Sequence, residues 1–145
     1  KVYEKIRSLT PDRQKGLDYA ASFDVEAWNE ELSRFLGNSA IPLIEGEKKE
    51  GKYDTAKHAL RLEKIIELWD TLMKIIDEEL PAPSVVEEAL KNVGAPVTAA
   101  EIGIRQEEIH AAFLMTKDIR DKYIGSRLLW DLGMLDQTAQ ELFGN

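Results

Sequence analysis

The chain contains no cysteine. Disulfide staples, thiolate nucleophiles and cysteine-ligated zinc are therefore excluded. The absence is compatible with a reducing compartment, and a cytoplasmic location is the expectation. Histidine is almost as scarce: His58 and His110 are the two in the sequence. No apolar run approaches the roughly 20 residues of a membrane span. The opening residues, Lys1-Val2-Tyr3-Glu4-Lys5-Ile6-Arg7, hold no apolar stretch of signal-peptide length. They begin without Met and inside a helical pattern, Val2, Tyr3 and Ile6 sharing a face, and so read as a piece cut from a longer protein. Positive charge is also in short supply. Lys and Arg number 19 against 27 Asp and Glu, giving a net charge of -8. Such a surface repels phosphate backbones and anionic lipid, so neither nucleic acid nor a membrane is an expected partner.

What remains is ordinary for a globular domain. Apolar residues make up 43% and charged residues 32% of 145, enough for one core and too apolar for disorder. The pattern predicts an all-α, multi-helix bundle forming a single domain over residues 1–145. Thr10 before Pro11 marks one helix start. Asp24 begins another, with Val25, Trp28, Leu32, Phe35 and Leu36 at helical steps and Gly37 as its stop. A short helix is expected from Ile41 to Gly46, followed by an exposed charged connection over Glu47–Lys52. Asp54 then caps the longest element. Ala59, Leu62, Ile65, Ile66, Trp69, Leu72, Met73 and Ile76 form a stripe running to Leu80, a rod of roughly 40 Å around which the bundle is expected to form. Pro81-Ala82-Pro83 stops it. Ser84 with Glu87, and Thr98 with Glu101, have capping-box spacing. A helix over 105–123 is expected to turn Ile109, Ala112, Phe113, Thr116 and Ile119 inward, and two more helices, 126–132 and 136–143, meet at Gly133. Trp28, Trp69 and Trp130 all lie on apolar stripes, where core packing explains them.

Chemistry is hard to find. Glu107 and His110 form a lone Glu-x-x-His, whereas a di-iron bundle needs two such pairs and Thr55 stands three residues before His58. Both histidines are therefore expected on solvated or structural faces. Most glycines sit singly near helix ends, and none forms a dinucleotide turn or a phosphate loop. The serines lack a nucleophile elbow. With 27 acidic residues, adjacent carboxylates carry little information.

One stretch says more. Thr116 to Gln137 contains a charged turn, Arg120-Asp121-Lys122-Tyr123, then an apolar half-turn and Leu132-Gly133-Met134-Leu135. Upstream, Ser84 to Ile104 joins a helix to a Gly94-Ala95-Pro96 turn and an Ala99-Ala100-Glu101-Ile102-Gly103 segment. In order and spacing, roughly over 54–137, these elements resemble the C-terminal end of the glycerol-1-phosphate dehydrogenase family. Its members are metal- and NAD(P)-dependent relatives of dehydroquinate synthase and the iron-containing alcohol dehydrogenases. Tyr3-Glu4-Lys5-Ile6-Arg7 resembles the end of a family helix.

The resemblance implies a dehydroquinate synthase-like helical C-terminal domain, paired in the parent with an N-terminal NAD(P)-binding domain. It implies reduction of dihydroxyacetone phosphate, a small phosphorylated substrate, to sn-glycerol 1-phosphate. Zinc or nickel would polarise the carbonyl while the nicotinamide delivers hydride. The family's aspartate and two histidine ligands would lie upstream of Lys1. This chain alone is therefore expected to hold no cofactor and to be inactive by itself. Arg120 and Tyr123 match the family's Arg-x-Arg-Tyr motif, with Lys122 in place of the second arginine. Arg120 thus becomes a candidate for the substrate phosphate or the cleft. The alternative is a cation favouring a helix C-terminus, with Tyr123 packed at the helix end. A cut domain should expose an apolar patch, through which a homo-oligomer would form. A free-standing helical protein-interaction module, with a groove along the 54–80 helix, is the competing function.

Overall fold

In a computed structural model describing residues 1–119 and 122–144, the chain is helical, with no strand among the described residues. The helices are α1 (Val2–Arg7), α2 (Arg13–Ser22), α3 (Val25–Leu36), α4 (Ala40–Glu50), α5 (Thr55–Glu67), α6 (Trp69–Glu79), α7 (Pro83–Asn92), α8 (Gln106–Ile119), α9 (Gly125–Asp131) and α10 (Leu135–Phe143). Short 3-10 turns cover Gly37–Ser39 and Ala100–Ile102. The all-α bundle expected from the periodicity is the fold observed.

Aspartates start three of the helices. Asp12, Asp24 and Asp54 accept from the backbone N–H of Lys15, Ala27 and Lys57 at 3.1, 3.0 and 2.8 Å. Each satisfies one orphan donor and sets a negative charge at the positive end of the dipole. The first helix start thus belongs to Asp12, not Thr10. Asp24 and Asp54 cap as expected, and Gly37 ends α3 with φ of 58°. The Ser84 box does not form. Ala82 is the N-cap and Pro83 takes the first helical position, where its missing N–H costs nothing. The second box half-forms: Glu101 accepts from the N–H groups of Val97 and Thr98 at 2.6 and 3.0 Å.

Two expectations about length change. The 54–80 rod is helical except at Leu68, whose φ of -98° and ψ of 8° divide it into α5 and α6. The helix expected to stop at Gly46 instead runs to Glu50 and ends at Gly51, in the left-handed conformation. A mid-helix glycine costs about 1 kcal/mol against alanine. Packing of α4 on α3 and α8 outweighs that preference, and it carries Glu47 into the interior, 3% exposed.

The core forms around α9. Every residue from Ser126 to Asp131 is buried, and α9 packs against α1, α2, α5, α8 and α10. Trp130 is fully enclosed, with Tyr19, Phe23, Tyr53 and His58 meeting it edge-on at ring separations of 5.8, 5.3, 5.2 and 5.4 Å. A second cluster joins Trp28 and Leu32 of α3 to Ala40 of α4 and Met115 of α8. Trp69 is only half-buried. By contrast α7 buries no residue, and Val85, Val86, Leu90 and Val93 stay exposed.

Where α2 crosses α9 the backbones nearly touch. A Cβ on Gly16 would sit 2.7 Å from the Asp131 carbonyl oxygen and 2.8 Å from Leu62 Cδ2. One of those obstacles is backbone and moves only with its helix. Gly16→Ala is therefore expected to destabilise the chain by about 1–3 kcal/mol, although alanine is the better helix former. The midpoint of urea denaturation should fall with the slope unchanged. An unchanged or higher midpoint would show that the crossing has slack.

Candidate functional site

The helices that enclose Trp130 also bring charges inside. Lys117 and Asp118 lie at the end of α8, Arg127 and Asp131 on α9, Glu47 on α4 and His58 on α5, all buried. Their burial follows from the helices that carry them. A seven-residue helix packed on every side cannot turn any residue to water, so Arg127 and Asp131 go inward with Leu128, Leu129 and Trp130. Burying a charge is costly unless it is paired and hydrogen-bonded; the others find partners, whereas among the described residues neither Glu47 carboxyl oxygen has a hydrogen bond.

Asp131 is the first hub. Its carboxylate accepts from Arg61 Nε and Nη2, both at 2.8 Å, and from the Tyr123 hydroxyl at 2.6 Å. Arg127 Nε lies 3.9 Å away. Its carbonyl, left without an intrahelical donor at the end of α9, meets His58 Nε2 at 3.0 Å. A carbonyl only accepts, so Nε2 is the protonated nitrogen. Asp118 is the second hub. It accepts from Trp28 Nε1 at 2.9 Å, from Lys117 Nζ at 2.7 Å and from the Tyr53 hydroxyl. Lys117 Nζ also sits 3.1 Å from the centre of the Trp28 ring, a favourable cation–π position. Arg127 links the hubs. Its guanidinium donates to the Lys52 carbonyl and stacks near Trp130 and Tyr53, at 4.3 and 5.0 Å.

Burial shifts these groups strongly. Desolvation, then the Asp118 charge, pushes Glu47 up to about 8, against the opposing pull of Lys117 and Lys52. Desolvation lowers Lys117 to about 8, with Asp118 resisting. Tyr53 and Tyr123 are raised well above the usual phenol range, first by desolvation and then by the carboxylates they donate to. Tyr123 is 53% exposed, but its hydroxyl is turned inward to Asp131.

The network opens to the surface through a cleft of about 140 Å³, lined by Glu50, Lys52, Arg61, Lys117, Lys122, Tyr123 and Arg127. A roomier hollow of about 380 Å³, bordered by Tyr3, Arg7, Leu80, Pro81, Val86 and Leu90, is mostly apolar. It lacks the converging buried charges of the smaller cleft, which is therefore the candidate site.

Of the two residues singled out in the sequence, Tyr123 lies on this cleft, and Arg120 lies outside the described residues. Lys122, where the family motif has arginine, is also on the cleft wall. His58, expected on a solvated or structural face, takes the structural place. It is 1% exposed and pins α5 to the end of α9. Of the residues expected inward on α8, Phe113 packs against the core and Ile109, Ala112 and Thr116 are half-buried, but Ile119 is 44% exposed, while Met115, Lys117 and Asp118 are buried. The groups that sequence reasoning passed over are Glu47, Lys117, Asp118, Arg127 and Asp131. A metal of the kind the family resemblance implies finds no fit in the residues present. His58 commits Nε2 to a carbonyl and His110 stands on a separate helix. Among the described residues no three His, Asp or Glu side chains gather as a metal site. No helix among them is long and apolar enough to cross a membrane. Compared with protein-family models, curated proteins and solved structures, the chain has no match.

Proposed function

We propose that this chain is the C-terminal helical domain of an NAD(P)- and metal-dependent oxidoreductase resembling glycerol-1-phosphate dehydrogenase. In this reading an N-terminal domain of the parent supplies the nucleotide, and further helices of the parent hold the zinc or nickel. The helical domain forms one wall of the substrate cleft. The observation that supports it is a coincidence of position. Lys122, Tyr123 and Arg127, which line the cationic cleft, all fall within the Thr116–Gln137 stretch that carries the family resemblance. The resemblance implies a phosphorylated three-carbon ketone as substrate, and a basic cleft suits its phosphate end. The metal, when bound in the parent, polarises the carbonyl. The residues of this chain would orient the substrate.

The test has two parts. The longer, metal-loaded protein is expected to oxidise NADH or NADPH with dihydroxyacetone phosphate. The present chain alone is expected to show no heat of NADH or zinc binding in calorimetry. Stoichiometric tight binding of either by this chain would overturn the division of labour. A metal-loaded parent without turnover on that substrate would overturn the activity.

A second reading is the helical interaction module, expected along the 54–80 helix; the exposed apolar residues that favour it here are Val85, Val86 and Leu90 of α7, with Val93 just beyond it. Exposed apolar patches of this kind mark association surfaces. It predicts association of the chain, with itself or a partner helix, that Val86→Glu and Leu90→Glu abolish.

A further inference from the structure

We infer that α4 is a proton-operated latch: a protonated Glu47 donates a hydrogen bond to Asp118 that holds α4 on the bundle, and loss of that proton lets α4 open. The first reason is a surplus of acceptors. Glu47 and Asp118 are both buried. Both Glu47 carboxyl oxygens and Asp118 Oδ1 have no hydrogen-bond donor among the described residues, although the two carboxyls lie within hydrogen-bond reach of each other. Two carboxylates offer each other only lone pairs, and like charges so placed do not both ionise readily. One proton satisfies both groups. It belongs to Glu47, because Asp118 already balances Lys117 at 2.7 Å and accepts from Trp28 Nε1 and the Tyr53 hydroxyl.

The second reason is what faces the pair. α4 packs on α8, α3 and the 3-10 turn. From α8, Asp118 opposes ionisation of Glu47 and Lys117 favours it, as does Lys52 beyond the end of α4. Arg127 of α9 stands 3.7 Å from Asp118 Oδ1. On the other side Glu47 shares a hollow with Glu26 and the neutral Asn29 of α3, with Lys48, and with Tyr53 and Asp54 before α5. The 3-10 turn, Gly37-Asn38-Ser39, carries no titratable group. The two lysines do not offset burial: desolvation and Asp118 together raise Glu47 to about 8. Once α4 opens, water restores the ordinary 4.5 and the proton leaves. Between those values the closed form holds a proton that the open form has lost, so rising pH favours opening, about tenfold per unit.

The third reason is that α4 is thinly anchored. Its buried residues are Ala40, at its start, and Glu47. Hollows of about 410 and 140 Å³ flank it, the first toward α3 and the second toward Asp118 and Ile119 of α8. Gly37 and Gly51 stand beyond its two ends with φ of 58° and 64°, small residues of the kind that serve as hinges. An element with few buried apolar contacts opens locally at little cost. Opening would uncover Trp28, Leu32 and Met115, the apolar cluster that Ala40 helps to cover. The latch requires neither reading of function given above.

Native-state hydrogen exchange of the chain, at several pH values and low urea concentrations, tests the latch. Amides of residues 44–50 are expected to open more readily than those of α9 and with little dependence on urea, the mark of local rather than global opening. Corrected for intrinsic exchange, their protection should fall about tenfold per pH unit between 4.5 and about 8. Glu47→Gln, whose amide N–H donates to Asp118 at every pH, should flatten that fall. The same fall in the variant would overturn the latch. So would protection that ignores pH in the unmodified chain, or α4 amides that share the opening energy and urea slope of α9. Should Glu47→Gln fail to fold by circular dichroism, the carboxyl carbon shift of Glu47 in the unmodified chain carries the test. Titration near 8 is expected, and titration at the ordinary 4.5 would overturn the latch.

Discussion

Asp131→Ala is expected to destabilise the chain by about 3–5 kcal/mol, the scale for removing one partner from a buried ion pair. At this size that corresponds to a loss of roughly 10–20 °C in Tm. The carboxylate is fully buried. It holds both nitrogens of the Arg61 fork and the Tyr123 hydroxyl, and it lies 3.9 Å from the buried Arg127. Without it Tyr123 loses its acceptor, and Arg127 keeps only Asp118, 3.7 Å away. Arg61 is less of a concern, because its side chain is 28% exposed and can regain water. A double-mutant cycle with Arg61→Ala separates the two arginines. If most of the loss arises at Arg61, the coupling energy should reach the upper part of the usual 0.5–3 kcal/mol range. If Arg127 dominates, the coupling will be small and the single Asp131 loss will persist. A Tm within roughly 3 °C of the parent protein would show that the network is ornamental to stability.

Most of the helical framework was visible in the sequence because it depends on local chemistry. Aspartate caps, a glycine in the left-handed region at residue 37 and the three- and four-residue apolar spacing of α3 and α5 act within one or two turns. Two signals misled for the same reason. Gly46 looked like a stop, but tertiary packing carried α4 through it. Ser84 looked like a cap, but Pro83 had already fixed the first helical position. Local preferences worth about 1 kcal/mol yield when helix packing or a proline ring favours another arrangement more strongly.

The candidate site was much less legible. Charged residues are normally read as a solvated face, and that rule placed the Glu47–Lys52 stretch outside. A usable signal was nevertheless present. Ser126-Arg127-Leu128-Leu129-Trp130-Asp131-Leu132 is too short and too apolar to keep a polar face, so its Arg and Asp, four residues apart, had to enter the core together. Two buried charges on one short helix then require partners from neighbouring helices. Which neighbours supply them, Arg61, Lys117 and Asp118, depends on how α5, α8 and α9 cross, and no spacing along the chain encodes that. The family resemblance drew attention to Tyr123 and its surroundings. It gave no role to Asp131 or Asp118, which organise the cations there.

The largest pH effect is expected from Glu47. Its ordinary carboxyl value of 4.5 is raised to about 8 in the folded chain. Between those values the unfolded chain has released the proton and the folded chain retains it. Stability is then full below 4.5 and declines as pH rises toward about 8, by up to about 1.4 kcal/mol per pH unit. Lys117 works in the opposite sense above that point. Its value is lowered from 10.5 to about 8, so between those limits the unfolded chain binds the extra proton and stability recovers with pH. Together the two groups place a minimum near pH 8. The groups acting on Glu47 are Asp118 and Lys117 of α8 and Lys52 beyond α4, so the effect belongs to the packed network rather than to α4 alone. Glu47→Gln keeps the shape and removes the ionisation. Denaturation of both proteins across this range should show the falling limb in the parent and, below about pH 8, a nearly flat profile in the variant. The variant should be the more stable near pH 8 by a few kcal/mol. Parallel pH profiles for the two proteins would place the Glu47 carboxylate in contact with water and defeat the prediction.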